Sequence, residues 1–165
     1  MERCIDDELP FEIPKNWCWC KIGTIFTLQA GKNIQAAEIH ENPFSGSYPC
    51  YGGNGIRGYV AGSNRTGDYP IIGRQGALCG NINRATGEFY ATEHAVCVET
   101  YSQISVAWAC LFLTALNLNQ YATATAQPGL AVANINEVYI PLPPLAEQHR
   151  IVQRIEELLP LLKGM

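Results

Sequence analysis

Residues 31–90 are dense in Gly, Asn, Ser, Thr and Tyr, and this stretch limits the fold more than any other. The turn clusters NPFSGSYP, GGNG, AGSNRTGD and ATGE leave only short apolar pieces between them, such as YVA, YPIIG and ALCGNI. Gly, Pro, Asn and Ser at this density break any long helix, so the region predicts short strands and loops, an irregular antiparallel β unit. ATEHAVCVE (91–99) alternates and predicts a further strand, with His94 as one of its residues.

Helix signals come later. SQISVAWACLFLTALN (102–117) is apolar nearly all round and predicts a helix packed inside. Residues 124–144 predict a loop, a short strand at VYIPL and a proline stop. Upstream, IPKNWCWCKIGTIF (13–26) predicts a proline-bounded turn, a short strand with Trp17 and Trp19 on one face, and a turn of helix. The C-terminal segment has another texture. Leu145, Val152 and Leu159 lie seven apart, as do Gln148, Ile155 and Leu162, a seam along a helix of about 27 Å. Ile151 and Leu158 widen the apolar face, Gln148 weakens the seam, and Pro160 is expected to kink the helix or end its regular part. The seam predicts docking on a partner helix or folding back onto the chain's own domain.

Charge narrows the function. With 165 residues, 47% hydrophobic and 16% charged, the chain is long enough for one domain with a sizeable core. Its net charge of −4 excludes a generally basic nucleic-acid binder. The distribution is uneven: Arg57, Arg65, Arg74 and Arg84 face a single acid, Asp68, in the span they cover, while Glu2, Asp6, Asp7, Glu8 and Glu12 crowd the N-terminus. A local arginine patch on an acidic body suits a phosphate- or base-reading face. The seven cysteines (4, 18, 20, 50, 79, 97 and 110) form no C-x-x-C, and His40, His94 and His149 stand far from any cysteine pair. This pattern predicts reduced, mostly buried thiols and no metal site. The longest apolar run, 104–116, is too short to span a bilayer, and a cytoplasmic protein is expected.

Gly53, Gly55 and Gly58 spell G-x-G-x-x-G, followed by Val60. A dinucleotide site needs a buried strand before this motif, a helix opening on it and an acid about twenty residues later. Here SGSYPCY precedes, YVAGSNRTGD follows, and Gly73 stands where the acid belongs. No lysine occurs between Lys32 and Lys163, which removes a kinase reading. The glycines are therefore backbone devices: Asn54-Gly55 suits a type I′ hairpin turn, and IIGRQGALCGN (71–81) repeats the pattern of strand, Gly-Arg, turn, strand. Nucleophile signatures, S-adenosylmethionine motifs and nuclease carboxylate–lysine pairs are not found. The chain reads as a non-catalytic binder that needs no cofactor.

WCWCKIGTIFTLQAGK, YPCYGGNGIRGYV, YPIIGRQGALCGNIN, ATAQPGL and IPLPPLAEQHRIVQRIEELL occur in one order and cover most of the chain. Together they resemble one target-recognition half of the specificity subunit of type I restriction–modification enzymes. The resemblance implies an α/β fold of the α+β type: an irregular, β-rich target-recognition domain (1–143) with a few helices, then the start of a coiled-coil-type spacer helix (144–165). It implies a subunit without catalytic activity that reads a short half-site in double-stranded DNA. That subunit holds methyltransferase subunits, which methylate adenine, and through them the restriction subunits. An intact subunit of that family has two such domains with antiparallel helices, and this chain has one. The chain is then either a half-subunit or a fragment of a longer protein, and in a half-subunit a homodimer through the C-terminal helix, at Leu145, Val152, Ile155, Leu159 and Leu162, is the expected substitute.

Arginine clamps guanine O6 and N7, while Asn and Gln pair bidentately with adenine. Asn54, Arg57, Arg74, Gln75, Asn81, Asn83 and Arg84 are the candidate base readers, and Lys32 and Arg65 the candidate phosphate contacts. Each also fits a solvated loop side chain. Tyr48, Tyr51 and Tyr59 suit packing better than base stacking. The rival reading is a carbohydrate-binding β module, which leaves the heptads and the arginine hairpins unexplained.

Overall fold

The computed structural model describes residue 9, residues 11–123 and residues 129–163, with Leu162 and Lys163 as backbone only. The acids Glu2, Asp6, Asp7 and Glu8, Cys4, the 124–128 part of the expected loop and the Leu162 side chain lie outside the described residues.

The longest ladder joins β5 (Arg65–Gly73) to β6 (Ile82–Ala91) and runs in register from Arg65↔Phe89 to Ile72↔Ile82. It passes through sequence whose composition signals turns. RTGD of one cluster and ATGE of another are strand, and Gly67 faces Gly87 in mid-ladder. ALCG, expected as a strand piece, is instead the turn that joins the two. At its end β6 pairs in parallel with β3 (Tyr48–Gly52), which forms a hairpin with β4 (Gly55–Val60). On its other edge β5 pairs with β7 (Ala95–Thr100), and β7 with β2 (Phe26–Ala30). The six-stranded order is β2-β7-β5-β6-β3-β4, antiparallel except at β3–β6. The expected strand 91–99 is thus the end of β6, a turn holding Glu93 and His94, and most of β7.

This connectivity forces the β5–β6 ribbon to coil. Ala91 is bonded twice to the Asn64 side chain at one end of the ribbon, and Ala95 pairs with Gly73 at the other. A flat strand would separate Asn64 from Gly73 by about 30 Å, whereas the four residues from Ala91 to Ala95 reach at most about 14 Å. Arg65 closes the curl by donating to Gln29 on β2, two strands away, at 2.6 Å.

Alternation along β5 sends neighbouring isoleucines into two clusters. Ile71 joins Tyr51, Ala85, Phe89, Ala91 and Cys97, with Tyr51 and Tyr69 edge-on to Phe89 at 5.5 and 5.9 Å. Tyr51 is therefore a packing residue. Ile72 joins the larger cluster with Phe26, Val96, Val98 and helix α2 (Val106–Leu116). Ser105 caps α2 by accepting from the Trp108 N–H at 3.3 Å, Trp108 stacks on Phe112 at 5.2 Å, and Asn117 ends the helix at φ 51°. The helix is not enclosed on all sides, contrary to what its composition predicts: it buries one face, Trp108, Ala109 and Leu113, and leaves Thr114 and Ala115 exposed.

A smaller sheet roots the last helix. β1 (Cys18–Lys21) pairs with β8 (Tyr139–Leu142), and one turn of helix, α1 (Ile22–Ile25), follows β1. Trp17 precedes the strand, so it does not share a strand face with Trp19, which packs on Phe11. A short helix, α3 (Val132–Asn136), lies where only loop was expected, with Ile135 buried. Pro143 and Pro144 then lead into α4 (Leu145–Lys163), which continues through Pro160 and does not end there. Ile151 and Val152 pack on the larger cluster, whereas Leu158, Leu159 and Leu161 are exposed. The seam is divided: its first half docks on its own domain and its second half stands free. Gln148 is no weak point of that seam, because it is buried within its own domain.

Candidate nucleic-acid interface

The β3–β4 connection pairs Gly52 with Gly55 across Gly53 and Asn54. Neither central residue has positive φ; Gly55 does, at 92°, after a register shift between Cys50 and Tyr51. The hairpin is therefore not the expected type I′ turn, which needs positive φ at both central positions. The turn leads into β4 and no helix follows it, as expected once a dinucleotide motif is excluded.

Backbone bonds gather this turn with three other loops. Thr92 donates to the Tyr51 carbonyl at 3.0 Å, and Arg74 to the His94 carbonyl at 3.0 Å. Lys32 donates to the Ala91 carbonyl at 3.0 Å, and Leu130 to the Arg74 carbonyl at 2.9 Å. Gly73 closes the 74–81 loop through bonds with Asn81 and Gly80, and a Cβ at Gly73 would stand 1.8 Å from the Gly53 carbonyl oxygen. Absence of a side chain is what lets the two turns touch. Loops 31–32, 53–54, 74–81 and 92–94 thus form one rim of the coiled sheet.

The rim collects Lys32, Asn54, Arg57, Arg74, Gln75, Asn81 and Asn83. Lys32, Arg57 and Gln75 are exposed, and Arg74 is half-buried. Asn81 donates to Asn54 Oδ1 at 2.8 Å, so these two amides join loop to loop. Asn83 Nδ2 is buried without a partner beside Gly55. The remaining two candidates are engaged with other side chains of the sheet. Arg65 spends its guanidinium on Gln29, and Arg84 forks onto Asp68 at 2.8 and 2.6 Å. That fork holds the Asp68 carboxyl below its usual range and raises Arg84 further. Asp68 shares the Ile72 side of β5, and Arg84 is near enough to feel Cys110 on α2 and Glu156 on α4. It belongs to the helix side of the sheet.

Sequence reasoning missed other members of the rim. Glu93 pairs with His94 Nε2 at 3.2 Å in the 92–94 turn, which alternation disguised as strand. Leu78 at the tip of the 74–81 loop and Ile56 beside Arg57 are more than half exposed, and nothing in the sequence marks them as outward-facing. The rim offers cations, amides and two apolar side chains, the groups that meet phosphates, base edges and thymine methyls. Burial raises the Cys50 and Cys97 thiols, and pushes Cys110 up to about 11. Cys20 is likewise raised to about 11, chiefly by burial and then by Cys18, whose Sγ lies 3.5 Å away. Groups held protonated in this way are poor nucleophiles. Among the described residues no three His, Cys, Asp or Glu side chains group to hold a metal ion, and no helix is long and apolar enough to cross a membrane.

A family model described as "Type I restriction modification DNA specificity domain" matches residues 14–163. The chain is 51% identical over 128 residues to the type I restriction enzyme EcoprrI specificity subunit of Escherichia coli, covering 77% of this chain and 32% of that protein. It is 29% identical over 117 residues to the putative type I restriction enzyme specificity subunit S.HindORF215P of Haemophilus influenzae, covering 69% and 30%. It thus spans about a third of the length of these relatives. Its fold is similar to that of a type I restriction–modification S subunit from M. genitalium, with a TM-score of 0.74 at 18% identity over 93% of this chain and 42% of that one. The HsdS subunit from Thermoanaerobacter tengcongensis gives 0.73 at 19%, over 94% and 40%.

Proposed function

The chain belongs to the family of type I restriction modification DNA specificity domains, and on that premise we propose that it reads one half-site in double-stranded DNA through the loop rim. The observation that carries the reading is the joining of the two arginine-bearing hairpins into one surface by the Asn81–Asn54 bond and the close approach of Gly73 to Gly53. Arg57, Arg74 and Gln75 are the proposed base readers, and Lys32 the proposed phosphate contact. Asn54 and Asn81 hold the loops in place. Arg84 is left out of the reading set because Asp68 occupies its fork.

The proposed partition is a reading domain over residues 1–143 and a spacer helix over 144–165. The chain acts without catalysis of its own, bringing methyltransferase subunits, and through them restriction subunits, to DNA in the cytoplasm. Leu158, Leu159 and Leu161 on the free half of α4 support a contact with a second helix, which two copies of this chain supply to each other as a homodimer. A carbohydrate module accounts for neither the arginine rim nor this helix. The test has two steps. Methylome sequencing of cells co-expressing this chain with a methyltransferase subunit identifies the site. Fluorescence anisotropy on that duplex then measures binding, and equal affinity for scrambled DNA would sink the reading.

A further inference from the structure

Gln148 is one of two buried polar residues among those described, and it is 1% exposed. Its amide is fully used. Oε1 accepts from the Ser105 N–H at 2.8 Å, and Nε2 donates to the Gln103 carbonyl and the Pro143 carbonyl, both at 3.0 Å. The chemistry explains the residue type. The Glu147 and Gln148 N–H groups both bond to the Pro144 carbonyl, at 2.8 and 3.0 Å, leaving the Pro143 carbonyl to a side chain. Ser105 is the cap residue of α2, and its N–H lies before the first helical bond. One side chain on the first turn of α4 must therefore donate twice and accept once, which glutamine does and Leu, Met or Glu does not. The bonds run to three backbone points on two segments, so they resist tilting and twisting of α4 together.

The helix is a lever. Its 19 residues reach about 28 Å, so a tilt of about 10° at the root moves the free end by about 5 Å, more than one base-pair step of about 3.4 Å. Apolar contacts at Ile151 and Val152 oppose separation but tolerate sliding, whereas hydrogen bonds lose their strength within tens of degrees. We propose that Gln148 is a positioning residue that fixes the direction in which α4 leaves the reading domain. It thereby sets the separation of two half-sites that an assembled pair of readers accepts. The proposal rests on the half-site reading and adds to it the residue that measures the gap.

The test replaces Gln148 with Met, which keeps the volume and removes the bonds. A second variant, Gln148→Glu, keeps one acceptor and loses both donors, and serves if Gln148→Met fails to fold. Residual dipolar couplings are measured on the chain, comparing sheet amides with those of 145–152. A single alignment tensor is expected to fit both sets in the wild type, and α4 to need its own or a scaled one in the variants. On duplexes with two half-sites at the preferred spacing and one base pair either side, selectivity is expected to fall at least fivefold in the variants. Affinity for a lone half-site is expected to stay within twofold. Unchanged couplings, or unchanged spacing selectivity, would overturn the proposal. A wild-type chain that binds DNA without sequence preference would instead sink the half-site reading, while the couplings still report on the pin.

Discussion

Asn81 donates its side-chain amide to Oδ1 of Asn54 at 2.8 Å, joining the β5–β6 loop to the β3–β4 turn across 27 positions of sequence. The bond uses one N–H of Asn81 and one lone pair on Asn54, and so fixes the orientation of both amides. The pair positions Arg57, Gln75 and Arg74 relative to one another. Asn81→Ala is expected to cost no more than about 1 kcal/mol of fold stability, the usual net worth of an exposed hydrogen bond, yet to weaken DNA binding several-fold. Anisotropy on Asn54→Ala, Asn81→Ala and the double variant decides it. Losses that fail to add mark one shared bond, and strictly additive losses would give each residue its own DNA contact.

The arginines are expected to behave differently from each other. Arg57→Ala and Arg74→Ala should each cost about 1–3 kcal/mol and relax preference at one base position. Lys32→Ala should weaken binding evenly across sequences and reduce the log–log salt slope by about 1. Arg84→Ala should leave affinity unchanged, since its guanidinium is held by Asp68 on the helix side of the sheet. Selection from a randomised duplex library with each variant checks all four. A shifted motif for Arg84→Ala would return it to the reading set.

Much of this was legible in the sequence, and the misreadings have physical causes. The heptads from Leu145 were readable because a helix writes its buried face into a period, and the run 102–117 because its length and apolar composition suit a helix packed on a core. The β5–β6 ribbon was not: Gly67 and Gly87 resemble turn residues, yet they face each other within the ladder at φ of 143° and 78°, values that side-chain-bearing residues rarely adopt. Periodicity showed that α4 buries one stripe but not against what, so Gln148 looked like a flaw in a seam when it is a bonded pin. Residue types singled out Arg57, Arg74 and Gln75, which the structure brings to the proposed rim. Arg84 shares their residue type, but its partner Asp68, 16 positions away, becomes a neighbour only after the strands pair.

The Asp68–Arg84 pair also gives a pH signature. Arg84 depresses the folded-state pKa of Asp68, so the pair's contribution is present above the unfolded carboxylate value of about 3.9 and is lost as pH falls through the lower folded value. Both side chains are more than a third exposed, at 47% and 39%, so the contribution is at most about 1 kcal/mol. Thermal unfolding of wild type and Asp68→Asn is expected to differ modestly between about pH 5 and 7 and to converge as acid protonates Asp68 in the folded state. A gap that widens on acidification would contradict the assignment.

Gly73 tests whether the rim depends on backbone contact. A methyl group there would meet the Gly53 carbonyl oxygen at 1.8 Å, a clash that only movement of one turn relieves. Gly73→Ala is expected to lower the melting temperature and to reduce DNA affinity more than Asn81→Ala does, because it separates the same loops by force. Gly76→Ala is the comparison, since its added carbon meets nothing within 4 Å and only its φ of 90° opposes it. Equal effects of the two substitutions on binding would mean that turn contact is unimportant.

The free half of α4 carries the last expectation. Leu158, Leu159 and Leu161 are 41%, 44% and 67% exposed, beyond the point where Ile151 and Val152 leave the domain surface. Burying three leucines between two copies is worth a few kcal/mol at about 25 cal/mol per Å², before the cost of association, so pairing should be weak and dependent on concentration. Light scattering is expected to show monomer passing to dimer over the micromolar to millimolar range. Leu158→Asp with Leu159→Asp should leave monomer throughout without changing the thermal unfolding of the domain. Gln148→Met, by contrast, should alter the direction of α4 but retain dimerisation, because it leaves the exposed leucines intact. A dimer that survives both aspartates would place its interface elsewhere on the chain.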